Sequence, residues 1–412
     1  MNSEPNAARC AKAAAALLLC TASLRAQLPA FPDPVSPGSG VVITPFREAG
    51  SPEWPKVPSA GRVKLHPHIL VRALRGEGFA LAALPEQDTS ILTTEPGVLA
   101  RIGRHWRADY TATWNRYSNP AFTDTFDSTL VLAGEHEPGL WRLREQARLE
   151  TSTNLLIETA AQTRVSRRGV NFELERDLGR GNLIDAGFDH TRTNLDTVGN
   201  AMLPVTPNWR ESAARLRLTR QLARDLHGTA FVHAGTTAAQ ETDSGQARPG
   251  AGLRWRVGDR LQFGAEYSRE WRRFRDEPRR SLRSDVLGAR AEYSPLAATR
   301  FTLEAGRTLT PSFLAGEVTR QSLLRANLRQ RFLGRVQFDA GLLRRHQDSL
   351  PAAGGVPLTR TDRSRSLDFS ISGALLRRLN VTLLHRSTRN DSSLPGLAFR
   401  SRQFGVETHA RF

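Results

Sequence analysis

The sequence predicts an all-β fold, a transmembrane antiparallel up-and-down β-barrel of about 18 strands. Three observations lead to this fold class: apolar and polar residues alternate along most of the chain, alternating segments are about ten residues long, and short connections alternate with longer polar ones. Strand side chains point to opposite faces in turn, so alternation produces one apolar and one polar face. A tilted strand of this length can cross a bilayer.

The alternation is clearest at 261–268 (LQFGAEYS), 336–342 (VQFDAGL) and 367–372 (LDFSIS). An irregular stretch at 151–167 is interpreted as the tip of a long hairpin, and a miscount there would give sixteen or twenty strands. An even number of strands places both the first and the last residue of the barrel on the periplasmic side. The eighteen predicted strands are 66–75, 95–103, 107–117, 125–134, 140–150, 168–177, 182–192, 209–220, 226–236, 247–257, 260–271, 282–293, 299–309, 320–331, 335–346, 363–374, 379–388 and 401–412.

Composition excludes several other classes. The 412 residues are 39% hydrophobic, and no apolar run of about 18 residues follows residue 30, so a bundle of membrane-spanning helices is excluded. The formal net charge is +17, but the arginines are dispersed along the chain, and this does not indicate a nucleic-acid-binding module. Cys10 and Cys20 both lie near the N-terminus, which leaves no thiol for catalysis or metal binding further along the chain.

The N-terminal region predicts export. Residues 1–26 combine a basic start with an apolar stretch of signal-peptide length, and cleavage is expected after Ala26. A lipoprotein signal at Cys20 is the alternative, although a leucine directly before it fits lipidation badly. Residues 27–63 are rich in Pro and Gly and are expected to form a disordered periplasmic extension, or else a short plug. Residues 64–412 are the expected barrel.

The last strand carries the most specific local pattern. Phe404, Val406, Ala410 and the terminal Phe412 fall on one face, and polar residues fall on the other. This pattern resembles the signal that the barrel-assembly machinery recognises in outer-membrane proteins. An edge strand of this kind can template pairing while a barrel closes.

The serial hairpins, such as RLQFGAEYSREW at 260–271 and RVQFDAGLLRRHQD at 335–348, and the terminal VETHARF resemble the second family of β-barrel porins. This family occurs in outer membranes and is often linked with exopolysaccharide loci. The resemblance implies a pore or a scaffold. The leading hypothesis is a porin-like channel for passive passage of small solutes or glycans, with anionic solutes favoured by the arginines described below. A non-conducting scaffold associated with exopolysaccharide export is the alternative, and an enzyme on the barrel wall is the third hypothesis. The resemblance supplies no catalytic residue.

Arginines in mid-strand are the candidate pore-lining residues. Their positions predict either a positive lining that favours anionic solutes or a set of ion pairs with luminal carboxylates that brace the wall. Glu145 falls on the apolar side of its strand, which conflicts with the register predicted for that strand. The ten candidates are Arg142, Arg144, Arg148, Arg215, Arg217, Arg254, Arg256, Arg290, Arg325 and Arg329.

The same sequence pattern also predicts which other sites and partners to expect. His66 and His68 share a strand face, but no third ligand follows closely, so no metal and no cofactor are expected. The expected partners are outer-membrane lipid, lipopolysaccharide, the assembly machinery, and small solutes or polysaccharide. Loop arginines are candidates for lipopolysaccharide phosphates. Six tryptophans near strand ends are expected in interfacial girdles: Trp106, Trp114, Trp141, Trp209, Trp255 and Trp271.

Overall fold

A computed structural model describes most of the chain from residue 63 onward. The described ranges are 63–79, 87–156, 161–197, 208–239, 243–275, 281–311, 317–332, 334–351, 360–376, 378–394 and 397–412, with two-residue segments at 23–24 and 59–60. The expected leader and periplasmic extension therefore lie almost wholly outside the described residues. Within these ranges, no helix is long and apolar enough to span a membrane.

The described barrel contains eighteen strands, as the alternation predicted. They are β1 (Val63–Phe79), β2 (Gln87–Ile102), β3 (Trp106–Tyr117), β4 (Thr125–His136), β5 (Trp141–Leu156), β6 (Ala161–Arg180), β7 (Asn182–Thr197), β8 (Trp209–Ala223), β9 (Leu226–Ala239), β10 (Ser244–Val257), β11 (Leu261–Phe274), β12 (Ser281–Leu296), β13 (Thr299–Pro311), β14 (Glu317–Phe332), β15 (Val336–Pro351), β16 (Thr361–Leu376), β17 (Leu379–Ser392) and β18 (Phe399–Arg411).

Pairing between the first and last strands closes the sheet. Each strand pairs antiparallel with the next one in sequence, and β18 pairs with β1 from Arg402 opposite Glu77 to Arg411 opposite His68. Closure leaves no free edge, which is the condition for a sheet in lipid. The predicted fold, a closed antiparallel barrel of eighteen strands, is confirmed. The segments Ser23–Leu24 and Ser59–Ala60 add only two-residue pairings, to β6 and β1.

Several strands are longer than predicted. β2 begins at Gln87 and not at 95, and the stretch 151–167 is mostly paired strand and not a hairpin tip, because β5 runs to Leu156 and β6 begins at Ala161. These extensions are mostly polar, QDTSILTT at 87–94 and TSTNLL at 151–156. Backbone hydrogen bonds to the neighbouring strand continue beyond the apolar segment, so a polar composition does not end the pairing.

The outward face is apolar over the middle of each strand. On β10, for example, Leu253 and Trp255 are 51% and 50% exposed to the outside. Trp106, Trp141 and Trp255 lie outward near the short turns, whereas Trp114 and Trp271 lie outward toward the long loops. Two aromatic levels bounding an apolar band are typical of barrels that cross a membrane.

Trp209 departs from the predicted girdle. Its side chain points inward and is 4% exposed, in a cluster with Val165, Leu195 and Ala239 near the long-loop end. Its indole Nε1 donates a hydrogen bond to Glu211, 3.2 Å away. The prediction failed here because Trp209 is the first residue of β8, and alternation from that end places it on the inward face.

A buried ion pair joins the two strands of the closing seam. Arg72 on β1 and Glu407 on β18 are 4% and 8% exposed, and Arg72 Nε donates to Glu407 Oε2 at 2.8 Å. Removing one partner of a buried pair leaves an uncompensated charge in the wall. The seam therefore depends on both residues.

We expect Glu407→Ala to lower the free energy of unfolding by about 3–5 kcal/mol, because Arg72 stays buried without its carboxylate. Urea unfolding of the folded barrel in detergent micelles, followed by tryptophan fluorescence, measures this loss. The paired replacement Arg72→Leu with Glu407→Leu removes both charges and should recover part of it. A single variant as stable as the wild type would contradict a role for this pair in closure.

Candidate functional site in the barrel lumen

All ten candidate arginines project to the inward face. The assignment follows from alternation with exposed apolar neighbours: Arg254, for instance, lies between outward Leu253 and Trp255. Glu145 lies outward, as its position in the alternation indicated, and its carboxylate is 3.4 Å from His136 Nε2 near a short turn. The register of β5 is therefore regular at this point, and Glu145 is accommodated by a partner at the rim.

Most of these arginines make ion pairs with carboxylates on the same face. This is the bracing arrangement that the sequence left open beside a uniformly positive lining. These ion pairs include Arg142–Glu175 at 3.1 Å, Arg144–Glu135 at 3.2 Å, Arg148–Glu150 at 2.9 Å, Arg215–Glu173 at 3.0 Å, Arg217–Glu266 at 3.5 Å, Arg290–Glu304 at 3.2 Å, Arg325–Glu304 at 3.6 Å and Arg329–Asp339 at 2.8 Å.

Glycines make room for two ion pairs that reach beyond the adjacent strand. Arg215 on β8 pairs with Glu173 on β6 by crossing β7 at Gly187, where a Cβ would lie only 2.6 Å from Arg215 Nε. Arg217 reaches Glu266 on β11 across two strands, and here it is the Glu266 side chain that lies over a glycine, since a Cβ on Gly252 would lie 2.8 Å from Glu266 Cγ. A long guanidinium side chain needs a wall without side chains to lie flat against it.

The wall between these pairs is cationic. The inward face of β9 and β10 carries no carboxylate along the described strands. Its ionisable residues are His227, His233, Arg248, Arg254 and Arg256. Arg248 Nη2 donates to His233 Nδ1 at 3.1 Å, so this histidine nitrogen acts as an acceptor. Arg248 is not among the ten predicted candidates, although it shares the strand face of Arg254 and Arg256.

A recess of about 250 Å³ opens beside this cationic wall. Its floor is bare because Gly288 and Gly306 lie directly opposite each other, and a Cβ on Gly288 would meet no atom within 4 Å. The charged lining consists of Arg217, Arg248, Arg290, Arg325, Glu266 and Glu304. Four guanidinium groups against two carboxylates leave the recess with a surplus of positive charge.

An aromatic ring completes the recess. Phe231 lines it, with the Arg217 guanidinium 5.8 Å from the ring centroid and the His233 ring 5.2 Å away in an edge-to-face arrangement. Guanidinium groups over a ring face gain a cation–π contribution. The recess thus offers both charge and a flat apolar surface to a small solute that carries an anionic group.

The remaining sequence-derived residues lie elsewhere. His66 and His68 both point inward near the short-turn end of β1, and among the described residues no group of three or more His, Cys, Asp or Glu is placed to hold a metal ion. Phe404, Val406, Ala410 and Phe412 lie on the outward face of the last strand, where Phe404 is 66% exposed. The backbone N–H of Phe412 donates to Pro67 O at 2.9 Å and extends the closing seam.

No protein-family model matches the chain, and no curated protein matches it. Solved structures resemble it at low identity. They include the outer membrane protein OpdK from Pseudomonas aeruginosa (13% identity, 85% of this chain and 99% of that one, TM-score 0.46). OccK2 (OpdF) from the same organism, in complex with glucuronate, has 14% identity over 84% of this chain and 98% of that one, with a TM-score of 0.47.

OccAB2 from Acinetobacter baumannii is similar in the same way, with 12% identity over 84% of this chain and 98% of that one and a TM-score of 0.45. The architecture rests on the strand pairing itself. The chain is a closed barrel of eighteen antiparallel strands with an apolar outward band and a polar lumen, which is the architecture of outer-membrane β-barrels.

Proposed function

We propose that the chain is an outer-membrane channel for the passive passage of small solutes, and that its luminal recess binds their anionic groups. The observation that carries this proposal is the recess itself, where four arginines, two glutamates and Phe231 surround a floor formed by glycine backbone. Its volume of about 250 Å³ falls below the range of about 300–1,000 Å³ that drug-sized ligands occupy. Solutes of a few carbon atoms with a carboxylate or phosphate fit this chemistry.

The size of the barrel supports a conducting lumen. Barrels with 16 to 18 strands enclose more space than wall side chains fill, unlike barrels of about eight strands. The inward ion pairs hold long side chains against the wall, as with Arg215 over Gly187, and this keeps them out of the bore. In this proposal the chain is not an enzyme, and the ten candidate arginines line the path of the solute.

The family, the export and assembly signals, and the link to exopolysaccharide export are part of the same proposal. Membership of the second family of β-barrel porins rests on the hairpin pattern and the terminal VETHARF. The leader at 1–26 would direct export, and the outward Phe404, Val406, Ala410 and Phe412 would present the signal for the barrel-assembly machinery. A link to exopolysaccharide export rests on the family resemblance alone.

Planar-bilayer recording tests the proposed channel. The purified barrel should insert from detergent and produce discrete current steps of uniform size, because one wet lumen per chain sets the conductance. Detergent without protein and heat-unfolded protein are the controls. A folded barrel that inserts into lipid vesicles but carries no current would contradict the channel and favour the scaffold.

A further inference from the structure

Outward-facing arginines form an uninterrupted row across four neighbouring strands. Arg344 lies directly opposite Arg365, Arg365 opposite Arg389, and Arg389 opposite Arg400. All four are exposed. We call Arg344, Arg365, Arg389 and Arg400 the arginine ladder. They face away from the lumen, because the residues next to them in sequence, such as Arg345 and Asn390, are buried on the inward face.

Such a row is unfavourable without an anion. Like charges placed directly opposite each other on one sheet face destabilise the pairing. Asp391 supplies one carboxylate, 2.9 Å from Arg389 Nη2. Within the part of the chain that the structure describes, Arg344 and Arg365 make no ion pair. The described barrel therefore does not balance the charge of these two neighbouring arginines.

The depth of the ladder places it at a lipid headgroup layer. One step closer to the middle of the strands, Leu342 lies opposite Leu367, and these outward side chains are 39% and 44% exposed. In the other direction the strands continue to the long loops. The ladder therefore lies where the apolar band ends on the long-loop side, which is the side of the outer leaflet in barrels of this kind.

A second row lies on the far side of the barrel. Arg168 is opposite Arg192, and Arg192 is opposite Arg210, on β6, β7 and β8. Below it, Phe172 and Phe188 face each other on the apolar band, each 44% exposed. An apolar surface bordered by a row of guanidinium groups thus occurs at two positions around the circumference of the barrel.

We propose that the arginine ladder binds the phosphate groups of lipopolysaccharide in the outer leaflet. Guanidinium groups bind phosphate oxygens through two parallel hydrogen bonds. Neighbouring strands are about 4.8 Å apart, so two adjacent arginines can flank one phosphate. A headgroup with several phosphates can engage several arginines at once, which a single phosphodiester cannot do. The proposal rests on the proposed outer-membrane location and not on conductance.

Native mass spectrometry of the detergent-purified barrel, titrated with lipopolysaccharide, measures this binding directly. We expect Arg344→Gln with Arg365→Gln to weaken binding by about tenfold, because charge-assisted hydrogen bonds to phosphate are lost. The matched control is Arg335→Gln with Arg378→Gln, which removes two exposed arginines at the short-turn end. The control should bind as the wild type does.

Two further ligands identify the chemistry that is recognised. Dephosphorylated lipopolysaccharide should bind wild type and double variant equally weakly. Phosphatidylglycerol should bind less tightly than lipopolysaccharide and lose little affinity in the double variant. Equal loss in both double variants, or equal affinity of the wild type for the two lipids, would overturn the proposal. Because binding is measured without a current, a barrel that does not conduct can still pass or fail this test.

Discussion

Gly288→Phe should lower the single-channel conductance severalfold. Gly288 and Gly306 form the bare floor of the recess, and a Cβ at position 288 would meet no atom within 4 Å. The phenyl ring would therefore project into the lumen without displacing the wall. Phenylalanine also favours a strand conformation, whereas glycine in a strand interior weakens it. The loss of conductance should consequently appear in a barrel that folds normally.

The adjacent Ala289 provides the matched control. It lies on the opposite face of the same strand, since alternation turns every second residue outward. Ala289→Phe adds a similar volume toward the lipid and should leave the conductance unchanged. The two variants are compared in the same bilayer, with heat-modifiable migration on gels confirming that each is folded. Equal conductance in wild type, Gly288→Phe and Ala289→Phe would mean that the recess lies off the conducting path.

The two-residue alternation of apolar and polar residues predicts the fold well because it has a direct physical cause. A strand in this barrel has lipid on one side and a polar lumen on the other, so the alternation at 261–268 carries the same information as the structure. The faces of Arg325 and Arg329 follow from the same rule. Glu145, a charged residue on the apolar side of its strand, also follows the alternation and lies 3.4 Å from His136 Nε2.

Strand ends and side-chain partners could not be predicted in this way. The polar start of β2 at Gln87 is held by backbone pairing, and no side-chain pattern marks it. The pair between Arg217 and Glu266 joins strands that are not neighbours, and it depends on how far a side chain reaches over a glycine such as Gly252. The recess likewise depends on glycines from separate strands meeting at one level, and this is fixed by register between strands and not within them.

Ion selectivity should change in opposite directions when the two kinds of charge in the recess are removed. Arg217→Gln with Arg248→Gln should shift the reversal potential toward cations. Glu266→Gln with Glu304→Gln should shift it toward anions. The wild-type recess has four arginines and two glutamates, so we expect moderate anion preference before either change. Uncompensated charges act strongly here because a narrow lumen is screened less than an open surface.

Reversal potentials across a gradient of potassium chloride measure these shifts. The arginine variant should abolish the anion preference, since it removes Arg217 from Glu266, its partner at 3.5 Å, and leaves two arginines against two glutamates in the recess. Arg269→Gln with Arg273→Gln removes the same charge from the outward face of β11 and should leave the potential unchanged. Raising the salt concentration should reduce every shift, because the screening length falls from about 10 Å at 0.1 M to about 3 Å at 1 M. Shifts of the same sign in both luminal variants, or a comparable shift in the outward variant, would mean that the recess does not set selectivity.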